Sequence, residues 1–167
     1  MHIPSIRSTY LFGVFEPQER SQKIEWTLNQ LQGLDFDSIA FRGMSGALIA
    51  PIIADTMRKT MILIRKPRTD EQYHSSYGIE GDCGTRRYVI VDDQISSGDT
   101  LRAIRAGIQE FAPEAKCVGV VLYYDKTFVY PGCESLGWGW PDNVVSKVFG
   151  WSDKDGSLKS NGISEGG

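Results

Sequence analysis

Short apolar runs and amphipathic stretches alternate along most of the chain. Runs rich in apolar and β-branched residues predict five strands, at residues 9–15, 37–41, 60–65, 87–91 and 116–124. Apolar positions recurring at helical spacing predict three helices, over residues 17–32, 45–59 and 100–111. Apolar strands that alternate with helices are typical of a parallel sheet covered on both faces. We therefore expect a three-layer α/β domain with a central parallel β-sheet flanked by helices.

Two segments break this alternation. Residues 67–86 are polar and have no period, and connections longer than about 15 residues in a compact domain are commonly functional lids. Residues 152–167 are rich in glycine, serine and lysine without a period, which is typical of a flexible tail. We expect a single domain over residues 1–151, with a long lid loop inside it, followed by a flexible C-terminal tail.

The composition limits the classes of function. With 41% hydrophobic and 23% charged residues, the 167-residue chain can bury a core and is not expected to be disordered as a whole. A net charge of -3 argues against a dedicated nucleic-acid binder, and no apolar run approaches the roughly 18 residues of a membrane span. Three cysteines without a C-x-x-C pair and two histidines argue against a disulfide scaffold or a histidine-rich metal centre. We expect a cytoplasmic protein that binds neither nucleic acid nor membrane.

The strongest candidate for chemistry is the segment YVIVDDQISSGDTL, at residues 88–101. Its apolar strand ends in two carboxylates, Asp92 and Asp93, which suit vicinal hydroxyls or Mg²⁺ because both require hard oxygen acceptors. A turn of small residues then opens a helix, where backbone N–H groups and the helix dipole favour a phosphate. The turn consists of Ser96, Ser97, Gly98, Asp99 and Thr100. This order fits a sugar phosphate, although it also fits an N-capped helix that binds nothing.

The segment VIVDDQISSGDT resembles the signature with which type I phosphoribosyltransferases bind 5-phosphoribosyl pyrophosphate (PRPP). The resemblance extends over residues 38–124, about half of the chain. It implies a phosphoribosyltransferase-like fold and Mg²⁺-dependent transfer of 5-phosphoribosyl from PRPP to a nucleobase, with release of pyrophosphate. It also implies that Asp92 and Asp93 are catalytic residues that bind the ribose hydroxyls and the metal, and that residues 96–100 hold the 5′-phosphate.

Two positions depart from the family pattern. The family often has glycine where Asp99 stands, and a carboxylate facing a phosphate dianion is repulsive. Asp99 either points into solvent and leaves the backbone N–H groups to the phosphate, or it weakens binding. Ser96 stands where hypoxanthine–guanine members carry an aspartate. Its presence favours an orotate-like or an adenine/xanthine-like substrate.

A second loop, FRGMSG at residues 41–46, lies between a predicted strand and a predicted helix. Its glycines permit close backbone approach and its serine can cap the helix, so a turn without a ligand also explains it. By resemblance it is the pyrophosphate loop, which often holds a non-proline cis peptide. The PRPP-binding residues implied here are Arg42, Gly43, Met44 and Ser45.

Basic residues follow the strand at residues 60–65. The resemblance places Lys66 on PRPP as a catalytic residue and makes the following loop a lid. His74 in this loop matches a catalytic histidine of orotate members, although the spacing around Arg68 does not clearly agree. Solvated side chains in a surface loop are the alternative for both residues.

Aromatic residues concentrate in the last third of the chain, where the family has a variable hood over the nucleobase. They are Tyr123, Tyr124, Phe128, Tyr130, Trp138 and Trp140. The resemblance implies a small C-terminal hood in which Trp140 stacks on the base and Asp125, after the last strand, contacts it. A small core or a dimer contact is the simpler explanation of the aromatic residues. A homodimer is expected from the resemblance alone.

The residues leave other functions open. A non-catalytic regulator that binds PRPP or a nucleotide fits the same fold, since fold does not fix function. A phosphotransferase or hydrolase that uses Asp92 as nucleophile is a third possibility and predicts a covalent aspartyl phosphate. The accepting base is not determined by the sequence.

Overall fold

The computed structural model describes residues 11–66, 78–131 and 144–151. Within these residues, helices and strands alternate as the apolar pattern predicts. The helices are α1 Phe12–Phe15, α2 Pro17–Leu31, α3 Gly43–Met57, α4 Asp99–Phe111 and α5 Val144–Phe149. The strands are β1 Ser38–Phe41, β2 Thr60–Ile64, β3 Ile79–Gly81, β4 Arg87–Asp92, β5 Lys116–Leu122 and β6 Thr127–Val129. None of the described helices is long and apolar enough to cross a membrane.

The strands form one sheet in the order β3-β2-β1-β4-β5-β6. The inner four, β2, β1, β4 and β5, are parallel, as predicted. The two outer strands were not predicted: β3 runs antiparallel to β2, and β6 runs antiparallel to β5. Strand β6 returns through residues 123–126, and a connection this short can join only antiparallel neighbours.

Side chains that alternate along the inner strands build a separate core on each face of the sheet. Ile39 and Val89 face a core completed by α2 and α3, while Ala40 and Ile90 face a core completed by α4 and α5. A strand sends successive side chains to opposite faces, so a strand that is apolar at every position requires helices on both sides. The three-layer prediction is confirmed.

The strand predicted at residues 9–15 is wrong for the described part of the N-terminal segment. Its described part, from residue 11 onward, holds the helical turn α1. Leu11 and Val14 are both buried, and their spacing of three places them on one face of a helical turn. Glu16 then caps α2 by accepting a hydrogen bond from Glu19 N at 3.0 Å. Packing beside α2 therefore overrides the strand propensity of these residues.

The segment expected to be a lid at residues 67–86 is partly ordered into the sheet. Residues 67–77 lie outside the described part of the chain, whereas β3 pairs with β2. Gly81 in β3 has φ of 143°, and a Cβ added there would lie 2.3 Å from Met61 O. Only glycine fits this close approach between the two backbones. The remaining lid prediction is therefore confined to residues 67–77.

The C-terminal region is described only in part. Helix α5 packs on α4, where Arg105 Nη1 donates a hydrogen bond to Val148 O. Residues 132–143 and the predicted tail, residues 152–167, lie outside the described residues. The hood, the flexible tail and the domain boundary at residue 151 stay predictions.

Candidate active site

Three loops meet at the carboxyl ends of the central strands. The parallel register pairs Ala40 with Ile90 and Phe41 with Leu63, so β1, β4 and β2 end side by side. Loops that leave neighbouring parallel strands at one edge lie close together and form the usual ligand site of such sheets. Two contacts join the loops: Ser45 Oγ donates to Asp92 Oδ1 at 2.9 Å, and the Lys66 side chain lies over Gly43.

Asp92 and Asp93 form the centre of this site. Although charged in water, they are only 5% and 8% exposed. Asp92 Oδ1 also accepts from Asp93 N at 2.9 Å, and Asp93 Oδ1 accepts from Gln94 N at 2.8 Å. Burial and the neighbouring Asp93 carboxylate raise the pKa of Asp92 to about 7, against the hydrogen bonds from Ser45 and the Asp93 backbone, which lower it.

The turn after the acidic pair leads into α4 through Gly98, which has φ of 84° and is the N-cap. This left-handed conformation favours glycine. The first N–H groups of α4 have no acceptor within the helix and therefore face the turn at residues 96–98. Ser96 and Ser97 are exposed, and Thr100 is half-buried in the first helical turn. The predicted phosphate residues therefore occupy one continuous turn at a helix N-terminus.

Asp99 takes the outward of its two expected orientations. Its side chain is 80% exposed and pairs with Arg102 Nη1 at 3.2 Å. Asp99 Oδ2 also accepts a hydrogen bond from Ser97 Oγ at 2.8 Å. Arg102 Nη1 donates to Ser97 O at 2.9 Å as well. The same guanidinium therefore binds the backbone of the turn and the Asp99 carboxylate. The carboxylate is thus neutralised at the surface.

The loop at residues 42–45 is partly helical, because α3 begins at Gly43 rather than at Ser45 as expected. Gly43 has φ of 76°, and Arg42 before it is extended, so the chain turns sharply from β1 into α3. Arg42 Nε is buried without a hydrogen-bond partner among the described residues, whereas Met44 is 61% exposed. No peptide bond is cis in the described parts of the chain, so the often-seen cis peptide of this loop is absent.

Lys66 follows β2 and reaches the same loop. A Cβ added at Gly43 would lie 3.1 Å from Lys66 Cε and 3.3 Å from Nζ, so the missing side chain at Gly43 makes room for the lysine. The Lys66 side chain therefore lies beside residues 42–45, as expected.

The two carboxylates fit part of the coordination shell of Mg²⁺. Among the described residues, no group of three or more His, Cys, Asp or Glu side chains could hold a metal ion. Mg²⁺ commonly binds through one or two carboxylates and completes its shell with water and substrate phosphate oxygens. Asp92 and Asp93 match that pattern.

No protein-family model matches the sequence. The adenine phosphoribosyltransferase of Mycoplasma mycoides is 26% identical over 64% of this chain and 71% of its own length. Among solved structures, adenine phosphoribosyltransferase from Thermoanaerobacter pseudethanolicus has a TM-score of 0.51 and 22% identity over 66% of this chain and 70% of its own. Orotate phosphoribosyltransferase from Aeropyrum pernix has a TM-score of 0.53 and 12% identity over 65% and 60%. The chain has the fold of the type I phosphoribosyltransferases.

A third similar structure is the Saccharomyces cerevisiae adenine phosphoribosyltransferase, complexed with an imino-altritol bisphosphate and adenine. It has a TM-score of 0.51 and 18% identity over 65% of this chain and 69% of its own. The phosphoribosyltransferase fold thus accounts for about two thirds of the chain.

Three residues predicted from the phosphoribosyltransferase resemblance are not joined to this site by the described contacts. Asp125 is exposed in the turn between β5 and β6. His74 and Trp140 lie outside the described residues, so their roles stay predictions. Two of the aromatic residues in the last third of the chain, Phe128 and Tyr130, pack against each other with ring centroids 5.2 Å apart. This contact fits the small core that was the alternative to a hood.

The contacts of two residues with these loops were missed by sequence reasoning. Tyr123 is fully buried, and its hydroxyl donates to Ser45 O at 2.8 Å, which ties the end of β5 to the loop at residues 42–45. Nothing in the sequence signals this contact, because it joins residues far apart in the chain. Arg102 could have been found, since its spacing of three from Asp99 in a helix predicts an ion pair.

Proposed function

We propose that this protein is a phosphoribosyltransferase that moves the 5-phosphoribosyl group from PRPP to a nucleobase. The bond from the ribose C1′ to pyrophosphate breaks, and the pyrophosphate leaves with the electron pair. A bond from C1′ to a ring nitrogen of the base forms, and the proton of that nitrogen passes to solvent. One observation carries the proposal: the acidic pair and the loop at residues 42–45 are joined by the Ser45–Asp92 hydrogen bond of 2.9 Å on this fold.

In the proposed complex, each loop binds one part of PRPP. Asp92 and Asp93 accept hydrogen bonds from the ribose hydroxyls, and the turn at residues 96–100 holds the 5′-phosphate through its backbone N–H groups. Residues 42–45 and Lys66 hold the pyrophosphate. Arg42 supports this assignment, because its buried Nε has no hydrogen-bond partner among the described residues and an anion would supply one.

Substrate placement and electrostatic stabilisation account for the proposed catalysis, so no side chain of the protein needs to act as a nucleophile. As C1′ becomes cation-like, negative charge develops on the leaving pyrophosphate, and Lys66 and Arg42 stabilise that charge. Mg²⁺ held by Asp92, Asp93 and the substrate oxygens would supply further positive charge. Closure of residues 67–77 over the site, with His74 in that loop, is the proposed means of excluding water.

The proposed base is adenine-like or orotate-like. Ser96 supports this choice, because hypoxanthine–guanine members carry an aspartate there, and the Mycoplasma relative is named for adenine. Asp125 and Trp140 are the proposed base-binding residues. We further propose that the enzyme is a cytoplasmic homodimer.

The test is turnover with PRPP and Mg²⁺ against a panel of adenine, orotate, xanthine and hypoxanthine, with pyrophosphate release as readout. We expect release with adenine or orotate, no release without Mg²⁺, and a loss of roughly 100-fold or more in kcat/KM for Asp92→Asn/Asp93→Asn. Asp55→Asn is the matched control, because it removes an exposed carboxylate from α3 outside the site. It should retain full activity.

The alternatives give different results. PRPP binding that is lost in Asp92→Asn/Asp93→Asn, but without turnover of any base, would indicate a regulator instead of an enzyme. A phosphoenzyme that disappears in Asp92→Asn would indicate a phosphotransferase or hydrolase. Either result would replace the proposal.

A further inference from the structure

A cavity of about 540 Å³ lies at the opposite end of the sheet from the acidic pair. Its walls include the first residues of β4 and β5, Arg87, Tyr88 and Lys116, together with side chains from α4 and α5. Strand β4 has six residues and Asp92 is its last. A strand rises roughly 3.3 Å per residue, so roughly 16 Å separates this cavity from Asp92. The cavity is therefore separate from the acidic pair.

Three cationic side chains line the cavity, and no aspartate or glutamate is among its described lining residues. Arg87 is partly neutralised, because its Nε lies 3.5 Å from the Asp35 carboxylate and donates to Asp35 O at 2.8 Å. Arg105 donates one N–H to Val148 O, and Lys116 forms no ion pair with a described residue. In a chain with a net charge of -3, this grouping of positive charge favours an anion.

Aromatic rings form another part of the wall. Phe149 and Trp151 stack with centroids 5.1 Å apart and an interplanar angle of 24°. The Arg105 guanidinium lies 6.0 Å from the Phe149 ring centroid, so a cation and rings adjoin each other in this wall. Gln109 adds an amide that can both donate and accept hydrogen bonds. The accessible lining is more polar than apolar, which suits an anion, and the volume lies within the roughly 300–1000 Å³ of small-molecule sites.

We propose that this cavity binds a small organic anion that carries an aromatic ring. Its phosphate or carboxylate pairs with Lys116 and the remaining N–H donors of Arg105, and its ring lies against Phe149 or Trp151. The proposal does not depend on the proposed transferase activity, because none of the lining residues belongs to the loops at the other end of the sheet.

The experiment uses AMP as probe in isothermal titration calorimetry. The protein is the Ser96→Glu/Ser97→Glu variant, because two added carboxylates in the exposed turn at residues 96–100 repel a phosphate from the proposed substrate site. We expect AMP to bind with one site per chain. Adenosine lacks the anion and ribose 5-phosphate lacks the ring, so each should bind at least about tenfold more weakly than AMP.

Two matched variants locate the binding. Lys116→Gln removes a cation that lines the cavity, and Arg86→Gln removes an exposed cation beside it that does not. Added to the double variant, Lys116→Gln should raise the Kd for AMP roughly five- to tenfold, and Arg86→Gln should change it less than about twofold. The proposal is overturned if AMP does not bind at millimolar concentration, if ribose 5-phosphate binds as well as AMP, or if both variants weaken binding equally.

Discussion

Asp92 combines burial with a neighbouring negative charge, and this makes its protonation sensitive to pH near neutrality. Its pKa is raised to about 7, mainly because burial penalises the charged form. In the unfolded chain the group loses its proton near pH 4. Between these values the folded state binds the proton more tightly, so the stability contributed by Asp92 falls as pH rises from about 4 to about 7.

Asp92→Asn tests this directly, because the amide oxygen can keep the bonds from Ser45 and the Asp93 backbone without a charge. At pH 8 the variant should be more stable than wild type by about 1–3 kcal/mol, and at pH 5 the difference should shrink towards zero. Urea unfolding at both values measures the change, with Asp55→Asn as control. A stabilisation that is the same at pH 5 and pH 8 would contradict the burial of a charged group.

The ion pair between Asp99 and Arg102 offsets the negative charge of an acidic residue beside the proposed phosphate site. Removing Arg102 leaves an uncompensated negative charge at the turn, so Arg102→Gln should raise the Kd for ribose 5-phosphate about three- to tenfold at low salt. Adding Asp99→Asn should restore most of the lost affinity. Calorimetric titration of the two single variants and the double variant measures the coupling, and additive effects of the two changes would contradict it.

At the scale of elements, Asp37 joins the starts of β1 and β4. Its Oδ2 accepts hydrogen bonds from Arg86 N at 2.9 Å and Arg87 N at 3.0 Å. These bonds favour the charged form and hold the pKa of Asp37 below its usual value. The stabilisation is present above the unfolded pKa of roughly 3.9 and is lost as pH falls through the lower folded pKa.

Asp37→Ala leaves the two N–H groups without this acceptor, and water replaces it in part because Asp37 is exposed. The change should lower the free energy of unfolding by about 0.5–1 kcal/mol at pH 7. Below pH 4 the difference from wild type should diminish, because the wild-type carboxylate becomes protonated. Urea unfolding between pH 3 and pH 7 measures this, with Asp55→Ala as the control for an exposed carboxylate. A difference that does not change with pH would contradict the role of the charged carboxylate.

The inner elements could be predicted from the sequence because each carries its own pattern. Strand β4 is apolar from Tyr88 to Val91 and ends in Asp92. Helix α4 has its apolar residues on one buried face, at Leu101, Ile104 and Ile108. The contacts that assemble the site could not be predicted, since Ser45, Asp92 and Tyr123 meet only after the strands are ordered side by side. Edge strands were missed for a related reason: β3 has three residues, too few to show a period.

At the scale of the whole molecule, the two cores depend on one sheet. Ile53 of α3 belongs to one core and Trp26 of α2 packs against it, whereas Trp151 packs against the core on the other face. The central strands supply side chains to both cores, so neither face can lose its packing without disturbing the backbone that supports the other. We therefore expect the described layers to unfold as one cooperative unit.

Single-tryptophan variants provide a test from both faces. One retains Trp26 and the other Trp151, with the remaining tryptophans replaced by phenylalanine. Ile53 is fully buried, so Ile53→Ala should cost about 2–5 kcal/mol. Its urea midpoint should fall equally whether fluorescence is read at Trp26 or at Trp151. Ile52→Ala, the same change at a residue that is 39% exposed, should shift both midpoints much less. If Ile53→Ala lowers only the Trp26 midpoint, the two faces unfold separately and the shared sheet does not couple them.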